Sequence, residues 1–169
     1  MNQQREISIC DCTLKDVENH IELSFREKIE LCRLIDKLGV FSIELCEIKQ
    51  KKIDRLLIKS ICSAVQRAVV SVPVNLKEVD SVQMTWEALK DARKARMQVV
   101  APTSSVQMEY LLHLKPTGLT EIVENRIREC RALTNEVEFI AVDATRSDPV
   151  FLRRILSSAV NAGAKIVTL

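Results

Sequence analysis

Short apolar segments rich in β-branched residues alternate with amphipathic segments of helical period along the whole chain, and no other feature constrains the fold as much. The pattern predicts six strands, at residues 7–10, 41–45, 69–74, 97–101, 137–142 and 165–169. Because the connections are short, the strands must form a parallel sheet that helices cover. Right-handed crossovers leave two ways to complete such a sheet, a doubly wound open sheet or a barrel.

Five amphipathic helices are predicted between these strands. The first is predicted to begin at a capping-box pattern formed by Ser24 and Glu27. The fourth is predicted to begin at Thr120, because Pro116 and Gly118 divide the region after the fourth strand into two helical stretches. The chain has only three glycines and four prolines, which excludes flexible linkers and an all-β architecture. We therefore treat residues 1–169 as one domain.

Charge and cysteine usage exclude several classes of function. With 25 basic and 23 acidic residues, the net charge of +2 gives no electrostatic case for nucleic acid or an anionic membrane. No apolar run is long enough to span a bilayer, and the first residues have no signal-peptide core. Six cysteines without a Cys-x-x-Cys pair are typical of buried thiols in a reducing compartment. A cytoplasmic protein without nucleic-acid or membrane partners is expected.

Five motifs follow one another along the chain. They are Asp11-Cys-Thr-Leu-Lys-Asp-Val-Glu-Asn19, Gly39-Val-Phe-Ser-Ile-Glu-Leu45, Thr103-Ser-Ser-Val-Gln-Met-Glu-Tyr110, Val137-Glu-Phe-Ile-Ala-Val-Asp-Ala-Thr-Arg146 and Ala162-Gly-Ala164. In order and spacing they resemble motifs of the isopropylmalate, homocitrate and citramalate synthase family, which are metal-dependent barrels similar to HMG-CoA lyase. The resemblance runs from about residue 7 to residue 169 and implies a (β/α)8 TIM barrel. Such a barrel usually needs about 250 residues, so an incomplete barrel, truncated at its sixth strand, is expected here.

The resemblance also implies a chemistry. Enzymes of this family join the acetyl methyl group of acetyl-CoA to the ketone carbon of a 2-oxo acid, in amino-acid biosynthesis. A divalent cation (Zn, Mn or Mg) chelates the 2-oxo acid and polarises its carbonyl group. An arginine beside the metal ligand stabilises the negative charge that develops on oxygen, and a glutamate of the second strand holds that arginine. Two histidines of a later His-x-His motif complete the metal site.

Three residues of the first two motifs carry the catalytic part of the resemblance. Asp16 stands at the position of the metal-binding carboxylate, Glu44 at that of the orienting glutamate, and Lys15 at that of the arginine. All three follow or end a strand, so a barrel would display them at its catalytic face. Asp16 can equally be a turn or capping residue. A structural ion pair with Lys15 would explain Glu44, whose lone charge is costly to bury inside an apolar strand.

Four later residues match the family at substrate-binding positions. Thr103 and Ser104 follow the fourth strand, while Asp143 and Arg146 follow the fifth. Simpler interpretations stay open for both pairs. Thr103 and Ser104 precede a helix and can cap it, and Asp143 can form an ion pair with Arg146 beside a helix start.

Departures from the family pattern concentrate at chemical positions. Lys15 replaces the arginine and loses its bidentate fork, and Val17 replaces a glycine, which would be strained if the loop required a positive φ. Gln107 replaces a histidine, and Ile140 and Val142 replace a serine and a glutamate. The His-x-His motif is absent from the 169 residues. The metal is therefore expected to bind weakly or not at all, and the chain alone to be inactive.

Three functions remain in competition. The first is a fragment of an acyl-CoA-dependent condensing synthase, whose partners would be acetyl-CoA and a 2-oxo acid. The second is a catalytically degenerate barrel that serves as a binding or assembly module. The third is a related metal-dependent lyase that cleaves the carbon–carbon bond. Because an incomplete barrel exposes unpaired strand edges, we also expect a homo-oligomer.

Overall fold

The computed structural model describes residues 7–17 and 22–169. Within these residues, six strands lie in one sheet. Their bounds are Cys10–Asp11 (β1), Ser42–Glu44 (β2), Val69–Val74 (β3), Ala95–Pro102 (β4), Val137–Val142 (β5) and Ile166–Thr168 (β6).

The strand order is β1-β2-β3-β4-β5-β6, so spatial order follows sequence order. The β1–β2, β2–β3, β4–β5 and β5–β6 pairs are parallel. A doubly wound sheet would instead reverse its strand order at a switch point near the first strand. The sequential order confirms the predicted fold class, an incomplete (β/α) barrel with six strands.

Helices occupy the connections between strands. Their bounds are Thr13–Val17 (α1), Phe25–Leu38 (α2), Ile53–Ala64 (α3), Ser81–Leu89 (α4), Ser105–Gln107 (α5), Pro116–Arg131 (α6) and Pro149–Ala162 (α7). A π-helical turn at Met108–Leu112 and a 3-10 turn at Ala144–Arg146 complete the set for the described residues. The five long helices are α2, α3, α4, α6 and α7, the number that the sequence pattern predicts.

Local capping explains where α2 begins and ends. The Ser24 hydroxyl accepts a hydrogen bond from the Glu27 backbone N–H, and the Glu27 carboxylate accepts one from the Ser24 backbone N–H. Two otherwise unpaired donors are satisfied in this way. At the other end, Gly39 adopts a left-handed φ of 82°, which a residue with a Cβ rarely tolerates. The predicted capping box is confirmed.

Two predicted boundaries were wrong. Helix α6 begins at Pro116 and runs through Gly118, so no break precedes Thr120. Proline at the first helical position lacks only an N–H that would be unpaired there anyway, and one glycine lowers helix stability without ending the helix. The first strand is Cys10–Asp11 rather than residues 7–10, although the Ile9 carbonyl still accepts the Phe41 N–H at 2.8 Å.

The described residues divide into two compact units. One comprises the described part of Met1–Ser71 together with Ala88–Ala95, and the other comprises Val72–Glu87 and Arg96–Leu169. In the first unit, Ile43 of β2 and Ile61 of α3 are at most 1% exposed. In the second, Phe139 of β5 and Ile155 of α7 are fully buried. Each unit therefore has an apolar core of its own.

Among the helices of the described residues, none combines the length and the apolar character that crossing a membrane requires.

Candidate functional site

The loop after β1 is folded by a local turn. The Asp11 carboxylate accepts hydrogen bonds from the Thr13 backbone N–H at 3.1 Å and from the Thr13 hydroxyl at 3.0 Å. An aspartate that bonds to backbone two residues ahead redirects the chain, which here enters α1 directly. Lys15 and Asp16 lie on this short helix. The backbone stays helical through Val17, so the loop does not require the positive φ that would strain a β-branched residue.

Lys15 and Glu44 meet at the carboxyl ends of β1 and β2. The Lys15 Nζ lies 3.0 Å from the Glu44 Oε2, although 29 residues separate them in sequence. The Glu44 side chain is 14% exposed and that of Lys15 is 37% exposed. Glu44 ends β2, and the next residue, Leu45, donates its N–H to the Ser71 carbonyl of β3. The backbone that carries the glutamate is thereby fixed, and the lysine is held by it.

Two cysteine thiols contact the carboxylates of Glu44 and Asp16. The Cys10 Sγ donates to the Glu44 Oε1 and the Cys12 Sγ to the Asp16 Oδ2, each at 3.4 Å. The hydrogen bond to Asp16 is the main cause that raises the pKa of the Cys12 thiol above its usual value. Sequence reasoning missed both thiols. The available signal was their spacing of two, which places side chains on one face of an extended segment.

The donors of this region do not fit the metal that the resemblance implies. Within residues 7–17 and 22–169, no three His, Cys, Asp or Glu side chains are grouped so that they could hold a metal ion. Asp16 has Cys12 as its close neighbour, which makes two donors, whereas a catalytic metal site takes about three protein ligands. The described residues alone therefore do not form a catalytic metal site.

The residues that follow β4 form a second polar group. Thr103 is fully buried, and its Oγ1 lies 3.1 Å from the Val142 carbonyl oxygen and 2.6 Å from the Ser147 Oγ. The Ser104 hydroxyl caps α5 by accepting the Gln107 N–H at 3.4 Å. The simpler interpretation of Ser104, a helix cap, therefore describes its geometry. Ser147 was not predicted from the sequence, where a lone serine gives no signal.

Asp143 and Arg146 form an ion pair after β5. The Arg146 Nε lies 2.7 Å from the Asp143 Oδ1. Hydrogen bonding to Arg146 is the main cause that holds the pKa of Asp143 below its usual value, and hydrogen bonding to Ser104 is the second. Asp143 has a left-handed φ of 59°, which is uncommon outside glycine but several-fold enriched in aspartate. The structure thus brings Asp143 together with Arg146 and Ser104, and Thr103 with Ser147.

A buried ionic cluster crosses from β4 to β6 and was also missed by sequence reasoning. The Glu138 carboxylate contacts Arg96 at 3.5 Å, Gln98 at 3.1 Å and the Thr168 hydroxyl at 2.6 Å. Arg96 and Glu138 are each 5% exposed. A glutamate inside the apolar segment Val137–Val142 was the signal, because a buried carboxylate requires partners. On the same face of β5, Ile140 is half-buried and Val142 is 36% exposed.

Comparisons with known proteins agree with this fold. The HMGL-like family model matches residues 6–169. A 2-isopropylmalate synthase of Shouchella clausii is 33% identical over 167 residues, which are 98% of this chain and 32% of that protein. A 2-isopropylmalate synthase of Clostridium kluyveri is 31% identical over 167 residues, with the same two coverages. The chain therefore spans about one third of the length of the relatives it matches.

The structural comparison supports the fold alone. The carboxyl transferase domain of Rhizobium etli pyruvate carboxylase has a TM-score of 0.53 at 14% sequence identity, over 87% of this chain and 24% of that chain. The sequence match over nearly the whole chain and the sequential parallel strands lead to one conclusion. The chain belongs to the HMGL-like family, where it corresponds to the N-terminal part of the barrel of 2-isopropylmalate synthases.

Proposed function

We propose that these residues are part of the catalytic barrel of an acyl-CoA-dependent synthase that condenses acetyl-CoA with a 2-oxo acid. The observation that carries the proposal is the 3.0 Å contact between Lys15 Nζ and Glu44 Oε2 at the ends of two adjacent strands. Catalytic groups of barrel enzymes lie at this face. Relatives that match nearly the whole chain are 2-isopropylmalate synthases, which supports this class of reaction.

The proposed roles follow from charge and position. The Lys15 ammonium is held by Glu44 and belongs to the residue directly before Asp16 in the sequence. A fixed cation of this kind stabilises an oxyanion as it develops. A metal, when bound with further ligands, would polarise the ketone of the 2-oxo acid. Asp16 is the proposed ligand, and Thr103, Ser104, Asp143 and Arg146 are the proposed substrate-binding residues. Because the family's His-x-His motif is not in these 169 residues, we propose that this chain alone catalyses no condensation.

A second candidate is a degenerate barrel that acts as a binding or assembly module. It is favoured by the apolar side chains of Ile140 and Val142 on a face of β5 where the family resemblance expects a serine and a glutamate. Hydrocarbon at those positions offers neither hydrogen bonds nor charge to a substrate. We also keep as proposals that residues 1–169 are one partial barrel domain, that the protein is cytoplasmic and that it forms a homo-oligomer.

The first experiment measures turnover and binding on the same sample. The chain is mixed with acetyl-CoA, a divalent cation and a panel of 2-oxo acids, and release of the coenzyme A thiol is followed by a colour reagent. No release is expected. Titration calorimetry with the same 2-oxo acids should show weak binding that Lys15→Met removes, because the substitution deletes the cation but keeps the length of the side chain.

Matched variants separate the candidates. Lys37→Met, at an exposed position in the last turn of α2, should leave 2-oxo-acid binding unchanged. Turnover by the chain alone would contradict the proposed inactivity. Binding that survives Lys15→Met would place the substrate elsewhere, and a complete lack of 2-oxo-acid binding would favour the module. Cleavage of a 3-hydroxy-3-methylacyl-CoA thioester, without condensation, would favour a lyase.

Divalent cations are expected to bind this chain weakly or not at all, because Asp16 and Cys12 supply two donors where a catalytic site needs about three. Titration calorimetry with zinc, manganese and magnesium measures the dissociation constant. Asp16→Asn and the exposed control Asp91→Asn should then differ little from the parent. Micromolar affinity that disappears only in Asp16→Asn would contradict the prediction.

A further inference from the structure

A cavity of about 340 Å³ lies between the residues that follow β4, the start of α6 and the start of α7, within the second compact unit. Among the side chains that line it are Ser105, Met108, Pro116, Asp148, Phe151 and Arg154. Sites for small molecules are usually clefts of about 300–1,000 Å³ with mostly apolar walls and a few polar groups. The size and the walls of this cavity fit that description.

Two further features of the region point to a ligand. Met108, which lines the cavity, begins the π-helical turn, and such wide turns occur frequently at functional sites. His113 ends the turn with a left-handed φ of 55°, which is uncommon for a residue other than glycine. Val150 also lines the cavity, yet it is 77% exposed. A ligand with an apolar part that covers this side chain would remove apolar surface from water, which is favourable.

The charged groups of the cavity favour an anionic group on that ligand. The Asp148 carboxylate accepts the Phe151 backbone N–H at 2.7 Å, so its charge lies at the N-terminus of α7. The helix dipole places about half a positive charge at that end, which offsets part of the carboxylate charge. Arg154 adds a full positive charge further along the same helix, and it forms no ion pair with a carboxylate of the described residues. The sum of these charges is positive.

The Arg154 guanidinium lies where it can receive the anionic group. Its Cζ is 5.7 Å from the centroid of the Phe151 ring, which is within the range of a cation–π contact. A planar guanidinium binds a carboxylate through two parallel N–H bonds. One end of the cavity wall therefore offers a partner for a carboxylate, and the ring beside it offers apolar surface.

We propose that this cavity binds an aliphatic monocarboxylate. Its carboxylate pairs with Arg154, and its hydrocarbon chain lies against Met108, Val150 and Phe151. Binding here requires neither Lys15 nor Glu44, so it goes beyond the proposed synthase function and does not depend on it.

Saturated carboxylates of increasing length are the probes. The chain is titrated calorimetrically with butanoate, hexanoate and octanoate, each below its micelle concentration. A fully buried methylene group strengthens binding about fourfold, so octanoate should bind at least about tenfold more tightly than butanoate. Octanol and octylamine should both bind more weakly than octanoate. No measurable binding of octanoate would overturn the proposal, and so would binding of octylamine that equals or exceeds that of octanoate.

Two neighbouring arginines provide a matched pair of variants. Arg154→Met deletes the charge, so the affinity for octanoate should fall about fivefold, the upper range for an exposed ion pair, while octanol binding stays unchanged. Arg153 is also exposed but does not line the cavity, so Arg153→Met should leave octanoate binding as it is. Equal losses in the two variants would reduce the effect to net charge and contradict the assigned role of Arg154.

Methionine methyl groups locate the bound ligand. Met108 lines the cavity, whereas Met84 and Met97 are buried elsewhere. In a chain with isotopically labelled methionine methyl groups, octanoate should shift the resonance of Met108, identified through Met108→Leu, and leave those of Met84 and Met97 in place. An unchanged Met108 resonance at saturation would place the ligand elsewhere and the proposal would fail.

The variant Lys15→Met separates this site from the proposed synthase site. Octanoate should bind this variant as tightly as it binds the parent chain, even where 2-oxo-acid binding is lost. Loss of octanoate binding in Lys15→Met would show that the carboxylate pairs with the lysine, which contradicts the site at Arg154. Unchanged octanoate binding in a chain that binds no 2-oxo acid would leave this site standing and contradict the synthase proposal alone.

Discussion

Replacing Glu138 with alanine is expected to lower the free energy of unfolding by roughly 3–5 kcal/mol, because the Arg96 charge would then remain buried without its carboxylate. The Glu138 carboxylate also accepts hydrogen bonds from Gln98 and Thr168. Arg96 is 5% exposed, so water cannot readily replace the lost partner. Urea denaturation of the purified variant, followed by circular dichroism, measures the change.

A matched control lies two residues earlier on the chain. Glu136 forms an ion pair with Lys165, but its side chain is 37% exposed. Exposed pairs contribute at most about 1 kcal/mol, so Glu136→Ala should be nearly neutral. Replacing both Arg96 and Glu138 with methionine should cost less than Glu138→Ala, because the double variant buries neither of the two charges. Equal losses of unfolding free energy for Glu138→Ala and Glu136→Ala would show that the Arg96–Glu138 pair is hydrated.

Asp36 is the second residue whose replacement should have a large effect. Its carboxylate lies near the end of α2 and accepts the backbone N–H groups of Gln66, Arg67 and Ala68 at 2.8–3.0 Å, in the turn before β3. Asp36→Asn keeps the size of the side chain but replaces one acceptor oxygen with a donor that faces these N–H groups. We expect a loss of roughly 2–4 kcal/mol.

The pH dependence of stability provides an independent measurement. Burial by itself raises the pKa of Asp36, but the hydrogen bonds from Ala68, Gln66 and Arg67 outweigh it and hold the pKa below the usual value of an aspartate. A carboxyl with a lowered folded-state pKa stabilises the protein above its unfolded pKa, and this contribution disappears as pH falls through the folded value. The parent should therefore have a higher unfolding free energy than Asp36→Asn at neutral pH, and this difference should shrink below about pH 4.

The exposed Asp91 offers the control for this experiment. Asp91→Asn should change the unfolding free energy by less than about 0.5 kcal/mol at any pH, as is usual for surface substitutions. A constant difference between the parent and Asp36→Asn from pH 7 to pH 3 would contradict the assigned role of the Asp36 carboxylate.

Features that depend on neighbours in sequence could be predicted well. The capping box of Ser24 and Glu27 and the left-handed Gly39 follow from bonds within one helical turn. Six strands and five long helices follow from apolar spacing. The start of α6 was misplaced because the same residue type, proline, either ends a helix or begins one, and sequence spacing does not distinguish the two roles at Pro116.

The candidate site was predicted in part. The family resemblance placed Lys15 and Glu44 together, and the two side chains do meet. The contacts of the Cys10 and Cys12 thiols with the carboxylates of Glu44 and Asp16 were not predicted from the sequence. The Cys10–Glu44 contact depends on the register of β1 against β2, in which Cys10 lies beside Ser42. The Cys12–Asp16 contact instead joins residues four positions apart, at the start of α1.

Periodicity alone thus determined that this chain alternates strands and helices, because hydrogen bonding and side-chain spacing in each element are local. Tertiary structure decided the sequential strand order and the burial of Arg96 against Glu138, which are 42 residues apart. A shift of one residue in strand register moves every side chain to the opposite face of the sheet. Which charges become partners is therefore fixed only when the strands pair, since only then does each charge leave water beside the group that compensates it.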